Sequence, residues 1–105
     1  MISIKDFEKL DLRVGKVIEA EKIEGTKLVR LKVDIGSEKR QLVAGGGLEP
    51  GDLLKKDVID LTNLEPKKLR GVESNGMILA ADEGEGKKPI ILIPEKDTKA
   101  GTRVR

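Results

Sequence analysis

Asn63-Leu64-Glu65-Pro66-Lys67-Lys68-Leu69-Arg70-Gly71-Val72-Glu73-Ser74-Asn75-Gly76-Met77-Ile78-Leu79-Ala80-Ala81 opens polar, turns basic, bends at Asn75-Gly76 and finishes as an apolar strand. A plain connector between strands is not laid out this way. Lys67, Lys68 and Arg70 put three cations within four positions. Pro66 fixes its own φ and stiffens the approach to them. Leu64, Leu69 and Val72 interleave apolar anchors, so the cations are displayed from a packed loop. Asn63 and Ser74 add neutral donors at either end. Together these side chains make a contact set for phosphate and sugar. In a chain this charged, the competing reading is a solvated loop with no partner.

Outward from this stretch the chain reads as short strands. Leu28 to Ile35 alternates, with Val29, Leu31, Val33 and Ile35 on one face and Arg30, Lys32 and Asp34 on the other. Gly36-Ser37-Glu38 turns it, and Lys39 to Ala44 returns as a hairpin partner. Leu12 to Ile23 is an irregular strand whose Gly15 implies a bulge or strong bend. Asp57 to Leu61 and Gly76 to Ala81 are the fourth and fifth strands. Gly45-Gly46-Gly47 and Pro50-Gly51 frame a helical turn, Gly51 to Leu54, between strands three and four. Ser3 caps a short N-terminal helix that ends near Leu10, through the backbone N–H of Asp6. Phe7, the only aromatic residue in the chain, is expected in the core. Pro89 to Ile93 pairs at an edge or across an interface, and the C-terminal residues add one more extended segment. The pattern is mainly all-β. It fits a five-stranded OB-fold barrel with a helical element between strands three and four; an SH3-like small barrel fits it nearly as well.

The chain has 105 residues, which predicts one domain, 1–105, with a modest core that gains from association. Charged residues make up 38%, against roughly 25% in an average domain. Net charge is only +2, so anion binding has to come from where the cations sit. There is no Cys and no His. That removes disulfides, the usual zinc, haem and iron–sulfur ligands, and the commonest general base. No apolar run is long enough to span a membrane and no signal-peptide core opens the chain, so the expected location is cytoplasmic.

Candidate chemical motifs are incomplete. Gly45-Gly46-Gly47 lacks the Gly-Lys-Ser/Thr ending of a phosphate loop, and Gly84-Glu85-Gly86 completes no dinucleotide fingerprint. Ser74 is one residue out of register for a nucleophile elbow, and without His it has no base. Asp82, Glu83 and Glu85 do not follow calcium-loop spacing. No catalytic residue, metal or cofactor is expected. The near absence of aromatic residues argues against base stacking on single strands and favours recognition of a folded RNA by backbone and shape. Strand cations such as Lys32 and Arg40 extend the basic patch if they share its face.

With these residues in view, the chain resembles the tRNA-binding domain family. The resemblance is carried by Asp6-Phe7, Leu10-Asp11-Leu12-Arg13-Val14-Gly15-Lys16-Val17, Lys27-Leu28, Val33-Asp34-Ile35-Gly36 and the whole of Asn63–Ala81. It includes the C-terminal domain or detached beta subunit of methionyl-tRNA synthetase, a free-standing structure-specific tRNA-binding protein and the EMAP-II cytokine domain. The resemblance implies an OB-fold that binds tRNA without catalysis. It also implies a homodimer, because members without an added C-terminal domain pair to complete the binding surface, and partnership with a methionyl-tRNA synthetase catalytic chain. Carried over by position, the tRNA-contacting residues are Asn63, Lys67, Lys68, Arg70, Ser74 and Met77, with Lys32 and Arg40 as weaker carry-overs. Met77 serves the turn or the core as readily as RNA. An export-chaperone branch of the same family, which binds peptides in a dimeric apolar groove, is the alternative; it does not usually keep the signature present here as Ser74-Asn75-Gly76-Met77.

Overall fold

A computed structural model describes residues 1–105. Helix α1, Ile4–Phe7, is closed by a reciprocal capping box between Ser3 and Asp6. Strand β1, Leu12–Lys22, is the spine. Its first half pairs with β4, Asp57–Leu61, and its second half with β2, Val29–Asp34. Strand β3, Lys39–Ala44, forms the expected hairpin with β2 in unbroken register, Val29 opposite Ala44 and Asp34 opposite Lys39. Helix α2, Pro50–Leu53, follows β3. After β4 come β5, Lys67–Leu69, and β6, Val72–Ser74, then β7, Met77–Ile78, and β8, Ala80–Ala81. Strand β9, Ile90–Ile91, pairs with β8, and β10, Arg103–Val104, pairs with the start of β1.

The main sheet runs β3-β2-β1-β4-β7 and curls until its ends meet. The seam is closed by a few hydrogen bonds. The Asn75 N–H donates to the Gln41 carbonyl (2.8 Å) and the Gln41 side-chain amide to the Glu73 carbonyl (3.0 Å). This is an OB-type barrel. Its interior holds the inward residues of β1 to β4, Val17, Val29, Leu31, Val33, Leu42 and Val58, while Leu53 of α2 is buried with them. Fully burying an aliphatic side chain of this size is worth about 1.5–3 kcal/mol, so these alternating positions hold the sheet in register.

Several expectations change. The bulge of β1 lies between Val17 and Glu19, not at Gly15. Gly15 is needed for another reason: a Cβ there would collide with the Val33 side chain. The expected fifth strand is broken at Leu79, whose N–H turns to the Ile59 carbonyl (2.9 Å). Phe7 is only half-buried, and no residue of α1 is buried, because this one-turn helix sits outside the barrel. The largest difference falls inside Asn63–Ala81. Its first half is not a loop but a hairpin, and it turns at Arg70-Gly71 rather than at Asn75-Gly76.

Candidate nucleic-acid interface

Strands β5 and β6 pair Lys67 with Ser74, Lys68 with Glu73 and Leu69 with Val72. The two residues between them, Arg70 and Gly71, both have left-handed backbones, at φ 54° and 80°. That is the two-residue turn whose twist matches paired strands. Period-two alternation puts Leu69 and Val72, both half-buried, on one face of the hairpin with Ser74. The hairpin is held to the barrel by Ser74, which is 6% exposed. Its hydroxyl accepts from the Val43 N–H (3.0 Å) and donates to the Gly76 carbonyl (3.2 Å). The bond from Val43 joins β3 to β6 and the bond to Gly76 fixes the turn that follows, so Ser74 is the clasp of the basic hairpin. Replacing Ser74 by Ala strands the Val43 N–H. The expected loss is about 1–2 kcal/mol of stability in urea denaturation, with faster hydrogen exchange at the Val43 amide.

Asn63 is also occupied. Its carbonyl accepts from the Asp11 N–H (2.9 Å) and its amide donates to the Lys9 carbonyl (2.7 Å), tying the chain after α1 to the end of β4. Arg40 lies on the inward-facing side of β3, between Lys39 and Gln41 of the outer face. Its guanidinium donates to the Thr62 carbonyl (2.6 Å) and to Glu38 (2.9 Å), so it bridges the end of the barrel. Lys32 is on the outer face with Arg30, but both are engaged. Arg30 donates to Glu21 (2.9 Å) and Glu19 (3.1 Å), and Lys32 lies 3.7 Å from Glu19. The Arg30 hydrogen bond, with the Lys32 charge, holds the Glu19 carboxyl below the usual range. A phosphate approaching either cation would have to displace a carboxylate.

Lys67, Lys68 and Arg70 are different. All three are exposed, and none takes part in an ion pair. Arg70 reaches across to the turn between β1 and β2, where it lines a groove of about 580 Å³ with Gly25, Thr26, Lys27 and Leu28. That turn is laced by Thr26, whose hydroxyl donates to the Ile23 carbonyl (2.7 Å) and accepts from the Leu28 N–H (3.0 Å). Lys27 is therefore a fourth unpaired cation on a fixed backbone, facing the hairpin tip. Sequence reading missed it. Lys27-Leu28 entered only as part of the family resemblance, beside a Gly turn, and its partner Arg70 lies far along the chain. Met77 is 45% exposed and lies beside Val43 and Pro89, in a cavity that shares no residue with the Lys27–Arg70 groove.

The structure thus sorts the candidate residues into two groups. Lys67, Lys68 and Arg70 are free cations along the hairpin, and Arg70 at its tip lines a groove with the free Lys27 of the β1–β2 turn; these four make up a cationic rim. Ser74 anchors the basic hairpin through Val43, while Asn63 and Arg40 make internal bonds at the end of the barrel. Such an arrangement can grip a phosphodiester backbone and has no group suited to reading bases by stacking.

A family model described as "Putative tRNA binding domain" matches residues 12–103. The chain belongs to the tRNA-binding domain family. It is 53% identical to part of the methionine–tRNA ligase of Pyrococcus horikoshii over 107 residues, which covers 99% of this chain and 14% of that protein. The chain spans about one-seventh to one-sixth of the length of the curated relatives it matches. Among solved structures it resembles a MetRS-related protein from P. horikoshii, with TM-score 0.91, 39% identity and coverage of 100% of this chain and 98% of that one. It also resembles the chaperone CsaA from Bacillus anthracis, with TM-score 0.89, 28% identity and coverage of 100% and 99%. As a tRNA-binding domain, the chain matches a small part of a ligase; the activity of the whole ligase does not transfer to it.

Proposed function

We propose that this tRNA-binding domain acts as the non-catalytic tRNA-holding subunit or domain of a methionyl-tRNA synthetase. The unpaired cationic rim of Lys27, Lys67, Lys68 and Arg70 is the observation that carries the reading. It gives the synthetase a second attachment to its tRNA, raising effective affinity without touching the catalytic step. Phosphate contacts carry little sequence information, so several tRNAs bind with similar strength. The work is cytoplasmic, where tRNA is charged.

The domain acts as a homodimer. Ile2, Ile4 and Leu10 are exposed at one end, Ile4 by 70%. Ile4, Phe7, Leu10 and Val104 line an open groove of about 260 Å³ there. A second copy covering this end would take these exposed apolar side chains out of water. Sedimentation at micromolar concentration is expected to give a dimer, and Ile4→Glu with Leu10→Glu a monomer. A wild-type monomer would contradict this reading.

The likeness to CsaA keeps a peptide-binding chaperone as the second reading. Retention of radiolabelled tRNA on a filter, in competition with an unfolded polypeptide, separates the two. The tRNA reading expects retention that excess polypeptide does not reduce; loss of retention to polypeptide favours the chaperone.

A further inference from the structure

Only two non-glycine residues have left-handed backbones, and both are cations: Arg70 at φ 54° and Lys55 at φ 67°. A left-handed backbone at a residue other than Gly or Asn costs of order 1 kcal/mol. Lys55 follows α2, at the position where Gly ordinarily ends a helix. Its conformation is held by continued pairing with β1. The Lys55 N–H donates to the Val17 carbonyl (2.9 Å), and the Val17 N–H to the Lys56 carbonyl (3.0 Å).

Lys55 lines a groove of about 600 Å³ that shares no residue with the Lys27–Arg70 groove. The floor is apolar: Ile18 is 41% exposed and Ile93 57%, with Pro94 beside them. Lys55, Lys56 and Lys96 stand around it, and none takes part in an ion pair. Lys16 is the exception. Its ammonium is held by Asp57 (2.8 Å) and Asp97 (3.3 Å), which joins β1 and β4 to the C-terminal stretch and fixes one wall. Even with those two aspartates the groove keeps an excess of positive charge.

We infer that this groove docks a segment of a partner protein that carries carboxylates beside aliphatic side chains. Charge complementarity selects acidic groups for the three free lysines. The exposed Ile18 and Ile93 select aliphatic ones, because they gain only from a partner able to take them out of water. An RNA backbone satisfies the lysines but leaves this floor wet. A second copy of the chain, related by a twofold axis through this groove, would bring two positively charged grooves together. The site is independent of the tRNA-binding rim, and one chain has room for both.

The test uses a fluorescein-labelled synthetic peptide with Glu and Leu at helical spacing, read by anisotropy. Saturable binding is expected, and charge reversal by Lys55→Glu, Lys56→Glu and Lys96→Glu weakens it by about tenfold or more. Ile93→Asp weakens it as well, while tRNA retention by every variant stays at the wild-type level. Circular dichroism verifies that each variant is folded. A peptide of the same length with Lys in place of Glu is expected not to bind. No binding of the acidic peptide, or binding unmoved by charge reversal, overturns the proposal. Loss of tRNA retention in the charge-reversed variant assigns the groove to RNA instead, and a shift of the sedimenting species to monomer assigns it to contact between copies.

Discussion

Replacing Lys27, Lys67, Lys68 and Arg70 together by Ala lowers affinity for folded tRNA at least about 100-fold near 0.1 M salt. Four phosphate contacts release enough counterions to contribute a factor on the order of 10³ between 1 M and 0.1 M salt, so their loss is felt most at low salt. The same variant flattens the plot of log affinity against log salt by about 3, from four contacts at roughly 0.7 to 0.9 each. The hairpin itself stays in place. Leu69 and Val72 keep their packing, Ser74 keeps its bonds to Val43 and Gly76, and none of the four cations is paired inside the protein. Far-ultraviolet circular dichroism and sedimentation are therefore expected to match the wild type. By contrast, Lys32→Ala alone lowers affinity little, because its ammonium is already shared with Glu19. Filter binding across a salt series distinguishes the two variants, and equal losses in both would sink the division between free and engaged cations.

The second large effect concerns stability. Asp60 on β4 is fully buried, and neither of its oxygens has a hydrogen-bond partner of good geometry. Burial pushes its carboxyl up to about 6; the Arg40 charge and the nearby Met77 N–H only partly offset this. The folded state therefore holds a proton on Asp60 that the unfolded chain, at the ordinary carboxyl value of 3.8, releases. Stability from this group is fully present below about pH 4 and is lost as pH rises through about 6. At neutral pH the loss amounts to about 3 kcal/mol, a large share of a small domain's total. Asp11 acts in the opposite sense. The Thr62 hydroxyl bond, helped by Arg13, lowers its carboxyl, so its contribution is present above pH 4 and is lost in stronger acid. Urea denaturation of the wild type is thus expected to show a fall in stability between about pH 4 and 7. Asp60→Asn removes that fall and is more stable than the wild type at pH 7, by about 2 kcal/mol once the cost of burying an amide is counted. A wild-type profile flat over this range would show that Asp60 is solvated or paired.

Asp60 also explains a residue of the opening motif. A Cβ at Gly76 would lie 2.6 Å from an Asp60 carboxylate oxygen, and Gly76 has φ 139°. Asn75-Gly76 reads in sequence as a hairpin turn. In the structure Gly76 is the close approach of one strand over a buried acid, and the turn belongs to Arg70-Gly71. Glycine marks turns and close approaches alike, and the neighbour that distinguishes them is distant in sequence. The same ambiguity misplaced the bulge of β1, where Gly15 makes room for Val33 while the register slips beside Ile18.

What local periodicity controls was legible. The alternation of Val29 to Asp34, the hairpin to Lys39–Ala44, the Ser3 cap and the helical turn before β4 all depend on near neighbours. The cations of the basic stretch were legible by residue type. Which of them are free was not. Arg40 and Lys67 are equally basic, yet one is tied to the Thr62 carbonyl and Glu38 and the other faces solvent. Ser74 and Asn63 have the chemistry of RNA contacts, but their hydrogen bonds close the barrel and anchor α1. Lys27 belongs to the Lys27-Leu28 pair that carries part of the family resemblance, but nothing local marks it as an RNA contact. It joins the site because the fold brings the β1–β2 turn to the tip of a hairpin that the sequence disguises.

The most direct measurement is a map of amide shifts by relaxation-optimised nuclear magnetic resonance as folded tRNA is added to the labelled protein. Perturbation is expected at Gly25 to Leu28 and along Lys67 to Ser74, with Ile18, Lys55, Lys56 and Ile93 to Lys96 unchanged. Perturbation centred on that second group instead, or none at Lys67 to Ser74, would contradict the assignment of tRNA binding to the cationic rim.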